Sequence, residues 1–261
     1  MTDIIVCALQ SPLDGDSPEQ NRAQFAQQIA EAGSADVFVL PEMFATGFAL
    51  SGKSIAEPES GPSLQWMQAM AKQHNAAITG SLAIQIGEDC FNRMYWVTPD
   101  GIEYYDKRHL FRMAGEHKRY AAGDKRKIIT WRGLRFLLQV CYDLRFPVFS
   151  RNFQTDPCGD YDVILYVACW PDLRRRAWQQ LLPARAIENQ AYVIGVNRSG
   201  EDSRGNTFTG DSAIHDFLGE PLALAETEPR KTLRAALSPR ALEKFREQFP
   251  VGLDADHFEI H

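Results

Sequence analysis

Apolar residues fall in short runs with two different periods. Asp3 to Leu9 is apolar almost throughout and predicts a first buried strand. A helix is expected from Ser17 or Pro18, where Phe25 and Ile29 share a face at i, i+4 and Gly33 ends the pattern. Asp36 to Leu40 predicts a second strand closed by Pro41, and Ser63 to His74 an amphipathic helix. Strands are expected over 76–86 and 91–98, joined through Gly87-Glu88-Asp89-Cys90. Pro99-Asp100-Gly101 then turns the chain into another strand over 102–105. Residues 107–125 are charged, carry Gly and His, and have no period, which predicts a long functional loop.

The second half repeats the alternation. Lys127 to Trp131 and Leu134 to Val140 read as a hairpin across Arg132-Gly133, and Val163 to Val167 as a very apolar strand. Trp178 to Gln190 is helical in pattern, with Pro183 either kinking it or marking its first turn. Strands follow at Tyr192 to Val196, near 212–215, 222–225 and 232–236. Ser238 and Pro239 open a last helix as N-cap and first residue. Strands interleaved with helices, plus direct hairpins, predict α/β layers with mixed sheets. No composition break marks a linker, so residues 1–261 are expected to form one domain. The aperiodic tail 249–261 is expected to lie against another surface, a partner subunit being the candidate.

Composition narrows the classes. Hydrophobic residues make up 44%, ample for a core, and the formal net charge is −6 with no basic block. Nucleic acid and anionic membrane surfaces are therefore not expected partners. No basic segment followed by a long apolar stretch opens the chain, so neither a leader nor a spanning helix is expected. The five cysteines are scattered without a C-x-x-C pair, which fits a reducing cytoplasm; Cys7 and Cys169, in or at the end of apolar runs, are expected to pack.

Three strand ends carry chemistry. In Phe-Leu-Leu-Gln-Val-Cys-Tyr-Asp-Leu-Arg-Phe-Pro, Cys141 ends a buried strand and Pro147 takes an early helical position. That turn can present a nucleophilic sulfur beside backbone N–H groups. A strand-end cysteine is more often simply buried. Glu42, in Leu-Pro-Glu-Met-Phe-Ala-Thr-Gly-Phe, and Lys107, in Tyr-Tyr-Asp-Lys-Arg-His-Leu-Phe, also follow apolar strands, where α/β proteins place ligand groups. Together they make a coherent set. An ammonium lowers a neighbouring thiol's pKa and can bind an oxyanion, while a carboxylate partly withdrawn from water can take and return a proton.

The segments around Glu42, Lys107 and Cys141 resemble, in order, the three signature segments of the nitrilase, or carbon–nitrogen hydrolase, superfamily. Arg185-Ala186-Ile187-Glu188-Asn189, Gly195-Val196-Asn197-Arg198 and Gly210-Asp211-Ser212 extend the likeness over nearly the whole chain. It is most similar to the ω-amidase branch. The resemblance implies a four-layer α-β-β-α sandwich with two mixed sheets, and subunits paired as a homodimer. It makes Glu42 the general base, Lys107 an oxyanion-binding cation, and Cys141 the nucleophile; the backbone N–H of Tyr142 is a second oxyanion donor. Glu116 matches a second family glutamate by its spacing to Tyr120 and Gly123. No metal or organic cofactor is implied, since the thiol is the covalent catalyst.

The implied substrate is a small ω-amide of a dicarboxylic 2-oxo acid, whose free carboxylate should meet a cation. Arg145 and the Arg174-Arg175-Arg176 run are the candidates, and Phe44 and Trp170 the expected pocket walls. Three alternatives stand beside this reading. A Cys–His hydrolase would use His109, which could instead brace the loop. The same chemistry could serve a nitrile, an N-carbamoyl amine or an aliphatic amide. A non-catalytic relative could keep the fold alone.

Overall fold

The computed structural model describes residues 2–48, 55–153, 159–256 and 258. Cys158, His257 and His261 lie outside these residues. Two sheets carry the chain. The first takes β1 (Ile4–Gln10), β2 (Val37–Val39), β3 (Glu57–Pro58), β4 (Ala77–Ile86), β5 (Asp89–Val97) and β6 (Ile102–Asp106). The second takes β7 (Ile128–Trp131), β8 (Leu134–Val140), β9 (Val163–Ala168), β10 (Tyr192–Asn197), β13 (Ala213–His215) and β14 (Pro221–Leu224). A two-stranded ladder, β11 (Gly200–Glu201) with β12 (Thr207–Phe208), lies between β10 and β13 in the chain. The last strand, β15 (Lys231–Leu237), returns to pair antiparallel with β1. The sheet orders are β15-β1-β2-β4-β5-β6, with β3 on β4, and β14-β13-β10-β9-β8-β7.

The period of two along each strand builds the layers. Val6 and Ala8 of β1 meet Phe136, Leu138 and Val140 of β8 in a core between the sheets. The intervening Cys7 and Leu9 face away, into a core with Phe25 and Ile29 of α1 (Pro18–Ala32) and Met67 of α2 (Pro62–His74). On the far side, Leu137, Ile164 and Tyr166 pack on Trp178 and Leu182 of α4 (Arg175–Asn189). The result is helix, sheet, sheet, helix. Two further helices, α3 (Pro147–Ser150) and α5 (Pro239–Gln248), complete the described residues.

Local chemistry adjusts the expected boundaries. Gly87 takes φ 57°, so two residues turn β4 into β5, and Asp89 and Cys90 pair with Ile86 and Gln85 instead of lying in the turn. Helix α4 begins at Arg175, and Pro183 sits well inside it, not in its first turn. Ser238 stands at the N-cap of α5, but its side chain makes no capping bond; its carbonyl accepts the Leu242 N–H. The stretch 107–125 holds two single 3₁₀ turns, at 112–114 and 116–118.

Gly195 shows how closely α4 lies on β10. A methyl group there would stand 2.5 Å from Leu182 Cδ1 and 2.9 Å from Trp178 Cζ2. Gly195→Ala is therefore expected to destabilise by about 1–3 kcal/mol through overpacking. A thermal melt with an unchanged midpoint would show that α4 shifts freely.

Candidate active site

The parallel strands β2 and β4 of one sheet, and β8, β9 and β10 of the other, run so that their C-terminal ends converge. A bridge from Pro12, beyond β1, to Ser199, beyond β10, ties the two sheets at that edge. Glu42 follows β2, Lys107 follows β6, Cys141 follows β8, Cys169 follows β9 and Arg198 follows β10. Each strand end supplies one functional side chain to the edge, as the general rule for open α/β sheets expects.

Glu42 is fixed by the turn after it. Met43 adopts φ 44°, its N–H donates to Ser81 Oγ at 2.9 Å, and the Gly47 N–H donates back to the Met43 carbonyl at 2.7 Å. The Glu42 side chain is 1% exposed, as is that of Lys107, and that of Glu116 is fully buried. Lys107 Nζ donates to Glu42 Oε1 at 2.8 Å and to both Glu116 oxygens at 3.0 Å. Asn92, inside β5, donates to Glu42 Oε1 at 2.8 Å and to Glu116 Oε1 at 3.3 Å. The Cys169 N–H donates to Glu42 Oε2 at 2.8 Å, and the Phe111 N–H to Glu116 Oε2 at 2.5 Å.

Two buried carboxylates thus share one ammonium. Burial alone would push Lys107 down, but Glu116 and then Glu42 outweigh it and hold its pKa well above the usual lysine value. Burial raises the Glu116 carboxyl above its ordinary range; the Lys107 charge opposes this and the Glu42 charge adds to it. Lys107 remains an ammonium, a fixed positive charge within a dry site.

Cys141 sits where the β8 strand breaks into a 3₁₀ turn over Cys141–Arg145, with φ 46° at the cysteine itself. A non-glycine residue in the left-handed region stores strain, and such strain gathers at reactive positions. Asp143 holds the turn. Its buried carboxylate accepts the Val140 N–H at 2.9 Å, the Tyr105 hydroxyl at 2.8 Å and the His109 N–H at 3.0 Å. One carboxylate therefore ties the cysteine turn to β6, the strand that delivers Lys107. His109 joins it: Nδ1 lies 2.7 Å from Asp143 Oδ1, and the ring stacks on Phe146 at 3.8 Å. That is the bracing role for His109.

The electrostatics of the thiol differ from the sequence expectation. Lys107 does lower its pKa, but burial and then the Glu42 charge dominate, and the Cys141 thiol is raised well above its ordinary value. The resting group is a thiol, so its proton must leave as it attacks. Alkylation of Cys141 by iodoacetamide is accordingly expected to keep rising with pH through 8 to 9, as for a thiol of ordinary or high pKa. A rate plateau beginning below pH 7 would instead indicate a preformed thiolate–cation pair. Peptide mass mapping reads the site modified.

Cys141, Glu42 and Lys107 open onto one cavity of about 260 Å³, lined also by Phe48, Phe111, Met113, Cys169, Pro171, Arg174, Arg198 and Phe208. That volume lies below the range typical of drug-sized ligands and suits a small molecule. The expected walls are placed differently. Phe44 points into the α1–α2 core, edge-on to Phe25 at 6.0 Å and against Trp66 at 5.6 Å, and Phe48 lines the cavity instead. Trp170 packs on Trp178 with its indole N–H donated to the Arg174 carbonyl at 2.8 Å, leaving Pro171 at the wall. Arg145 lies over the Trp170 ring at 4.9 Å, outside the lining. Of the arginine run, Arg174 lines the cavity and sits over Phe111 at 5.0 Å, Arg175 pairs with Asp211, and Arg176 is exposed. The Tyr142 ring packs between Phe111 and Phe146. Cys169 packs as expected but is also part of the site: its Sγ–H donates to the Glu42 carbonyl at 3.2 Å.

The profile of the family described as carbon-nitrogen hydrolase matches residues 7–247. The chain belongs to the carbon–nitrogen hydrolase family. Among this hydrolase's relatives, an omega-amidase, YafV, of Yersinia enterocolitica is 48% identical over 259 residues, covering 99% of each chain. A 2-oxoglutaramate amidase of Bacillus subtilis is 34% identical over 252 residues, covering 94% of this chain and 95% of that one. The crystal structure of XC1258 from Xanthomonas campestris superposes with a TM-score of 0.96 at 41% identity, over 100% of both chains. It is described as a CN-hydrolase superfamily protein with an arsenic adduct in its active site. The α-β-β-α sandwich of this hydrolase is the fold of that superfamily.

Proposed function

We propose that this hydrolase is a thiol ω-amidase. It would cleave the terminal amide of a small dicarboxylic 2-oxo acid, such as 2-oxoglutaramate or 2-oxosuccinamate, to the acid and ammonia. The observation that carries the reading is the buried Glu42–Lys107–Glu116 cluster sharing one small cavity with Cys141. The names of its relatives, omega-amidase and 2-oxoglutaramate amidase, support the substrate class.

In the proposed cycle Glu42 Oε2 takes the proton from Cys141 as sulfur bonds to the amide carbon. The carbonyl oxygen becomes an oxyanion facing the Lys107 ammonium and the Tyr142 backbone N–H. Glu42 returns the proton to nitrogen, the C–N bond breaks and ammonia leaves a thioester. Glu42 then deprotonates water, which attacks the thioester carbon; the C–S bond breaks and the proton returns to sulfur. Glu116 orients Lys107, and through Asn92 it is linked to Glu42. No step calls for a metal or organic cofactor. The same reading takes residues 1–261 as one domain of a homodimer working in the cytoplasm. Among the described residues Cys7, Cys90, Cys141 and Cys169 form no disulfide, and no helix is long and apolar enough to cross a membrane.

The test is ammonia release from 2-oxoglutaramate, 2-oxosuccinamate, a nitrile, an N-carbamoyl amino acid and a simple aliphatic amide. The two 2-oxo amides are expected to give the highest kcat/KM. Equal turnover of the neutral aliphatic amide would sink the substrate assignment, and turnover of the nitrile alone would replace it.

A further inference from the structure

One cation of the cavity is held in a way the proposed cycle does not use. Arg198 is 2% exposed, yet none of its contacts is with a carboxylate. Nε donates to the Ser199 carbonyl at 3.1 Å, and Nη2 to the Leu13 carbonyl at 3.2 Å and the Glu201 carbonyl at 2.9 Å. Phe208 lies against the guanidinium at 4.5 Å. Nη1 makes no hydrogen bond among the described residues, and Arg198 lines the cavity that holds Cys141. Asp202, which also lines the cavity, spends its carboxylate on the Arg204 and Asn206 backbone N–H groups and the Asn206 side chain, with no hydrogen bond to Arg198. Burial depresses the Arg198 pKa more than the neighbouring Cys169 and Asp202 raise it. A buried guanidinium held by carbonyls, with no carboxylate in direct contact, is expensive unless an anion completes it.

We propose that Arg198 receives the free carboxylate of the substrate and so sets the enzyme's preference for charged ω-amides. The inference rests on the amidase reading above. The sheet supplies the ruler. Val140 of β8 pairs with Val167 of β9, and Ala168 with Asn197 of β10, so Cys141 and Arg198 leave strands two apart at nearly the same level. Two strand spacings amount to about 10 Å between backbones. The four C–C bonds from amide carbon to carboxylate carbon of a five-carbon substrate span roughly 5 Å. The arginine side chain fills the difference. The other arginines of the cavity, Arg174 and Arg204, are partly exposed and exposed, so solvent and salt screen their charges; Arg198, 2% exposed, is screened less.

The experiment compares kcat/KM for 2-oxoglutaramate with that for pentanamide, an uncharged amide of the same length, and reads the ratio. Arg198→Gln is expected to lower the ratio roughly 10- to 100-fold, the worth of a charge-assisted hydrogen bond. Arg174→Gln is expected to change both rates together and leave the ratio within about threefold. Arg198 also anchors three carbonyls, so the Gln variant could fail to fold. Arg198→Lys then serves: it keeps a cation but is shorter, and a several-fold fall in the ratio is expected. An unchanged ratio in a folded Gln variant, an unchanged ratio in the Lys variant, or loss of the ratio in Arg174→Gln each overturns the assignment. If the wild type does not hydrolyse 2-oxoglutaramate, the amidase reading itself fails. If it does, and Arg198→Gln lowers both substrates equally, only this inference fails.

Discussion

Cys141→Ala should leave a folded protein that binds its amide but releases ammonia at a rate lowered on the order of 10⁴-fold or more, the scale of losing a nucleophile from a coupled catalytic unit. Folding should survive because the resting thiol is neutral and alanine has the same backbone preferences at φ 46°. Asp143 and its three donors, which hold the turn, are untouched. The wild type, quenched in acid during turnover, should show a mass increase matching the acyl group on the peptide containing Cys141, and the variant none. Wild-type turnover in the alanine variant would remove the thioester from the mechanism altogether.

Lys107→Met should fail in two ways that can be separated. In the proposed cycle it removes an oxyanion donor, which typically lowers kcat roughly 10²–10³-fold. It also leaves Glu42 and Glu116 facing each other in the dry site without the ammonium that both contact. Breaking a buried pair in this way costs about 3–5 kcal/mol, which in a chain of this size lowers the melting midpoint on the order of 10 °C. Adding Glu116→Gln removes one of the opposed charges and should restore part of the stability without restoring kcat. A double variant as unstable as the single one would show that charge repulsion is not the cause. A single variant with wild-type activity would show that the ammonium does not meet the oxyanion.

The same cluster supports the proposal that a carboxylate, and not an imidazole, serves Cys141. His109 is the histidine nearest along the chain to the candidate residues, but its Nδ1 is spent on Asp143 and its ring on Phe146. A cysteine paired with a histidine is activated as a standing thiolate. Here burial and the Glu42 charge raise the thiol's pKa, and in the proposed cycle Lys107 meets the charge that develops when an amide is attacked.

By itself the sequence determined the α/β class, the order of the main strands and the strand-end positions of Glu42, Lys107 and Cys141. Each of these is local: a two-residue or 3.6-residue period, a proline or glycine stop, a polar residue just past an apolar run. Glu116 came only through the resemblance to the family, since its own segment reads as a charged loop. Tertiary structure alone decided which other groups complete the site. Asn92 lies inside a strand and Cys169 at the end of one, and only the convergence of the two sheets at one edge shows that both touch Glu42. Phe44 follows Glu42 by two residues and should share its face, but the positive φ of Met43 breaks that alternation and sends the ring to the helical core. Arg198 reads as one cation among many until strand register sets it two strands from Cys141 at nearly the same level. The direction of the thiol's pKa was likewise undecidable along the chain. It depends on the balance between burial, one carboxylate and one ammonium, and those distances exist only once the sheets are packed.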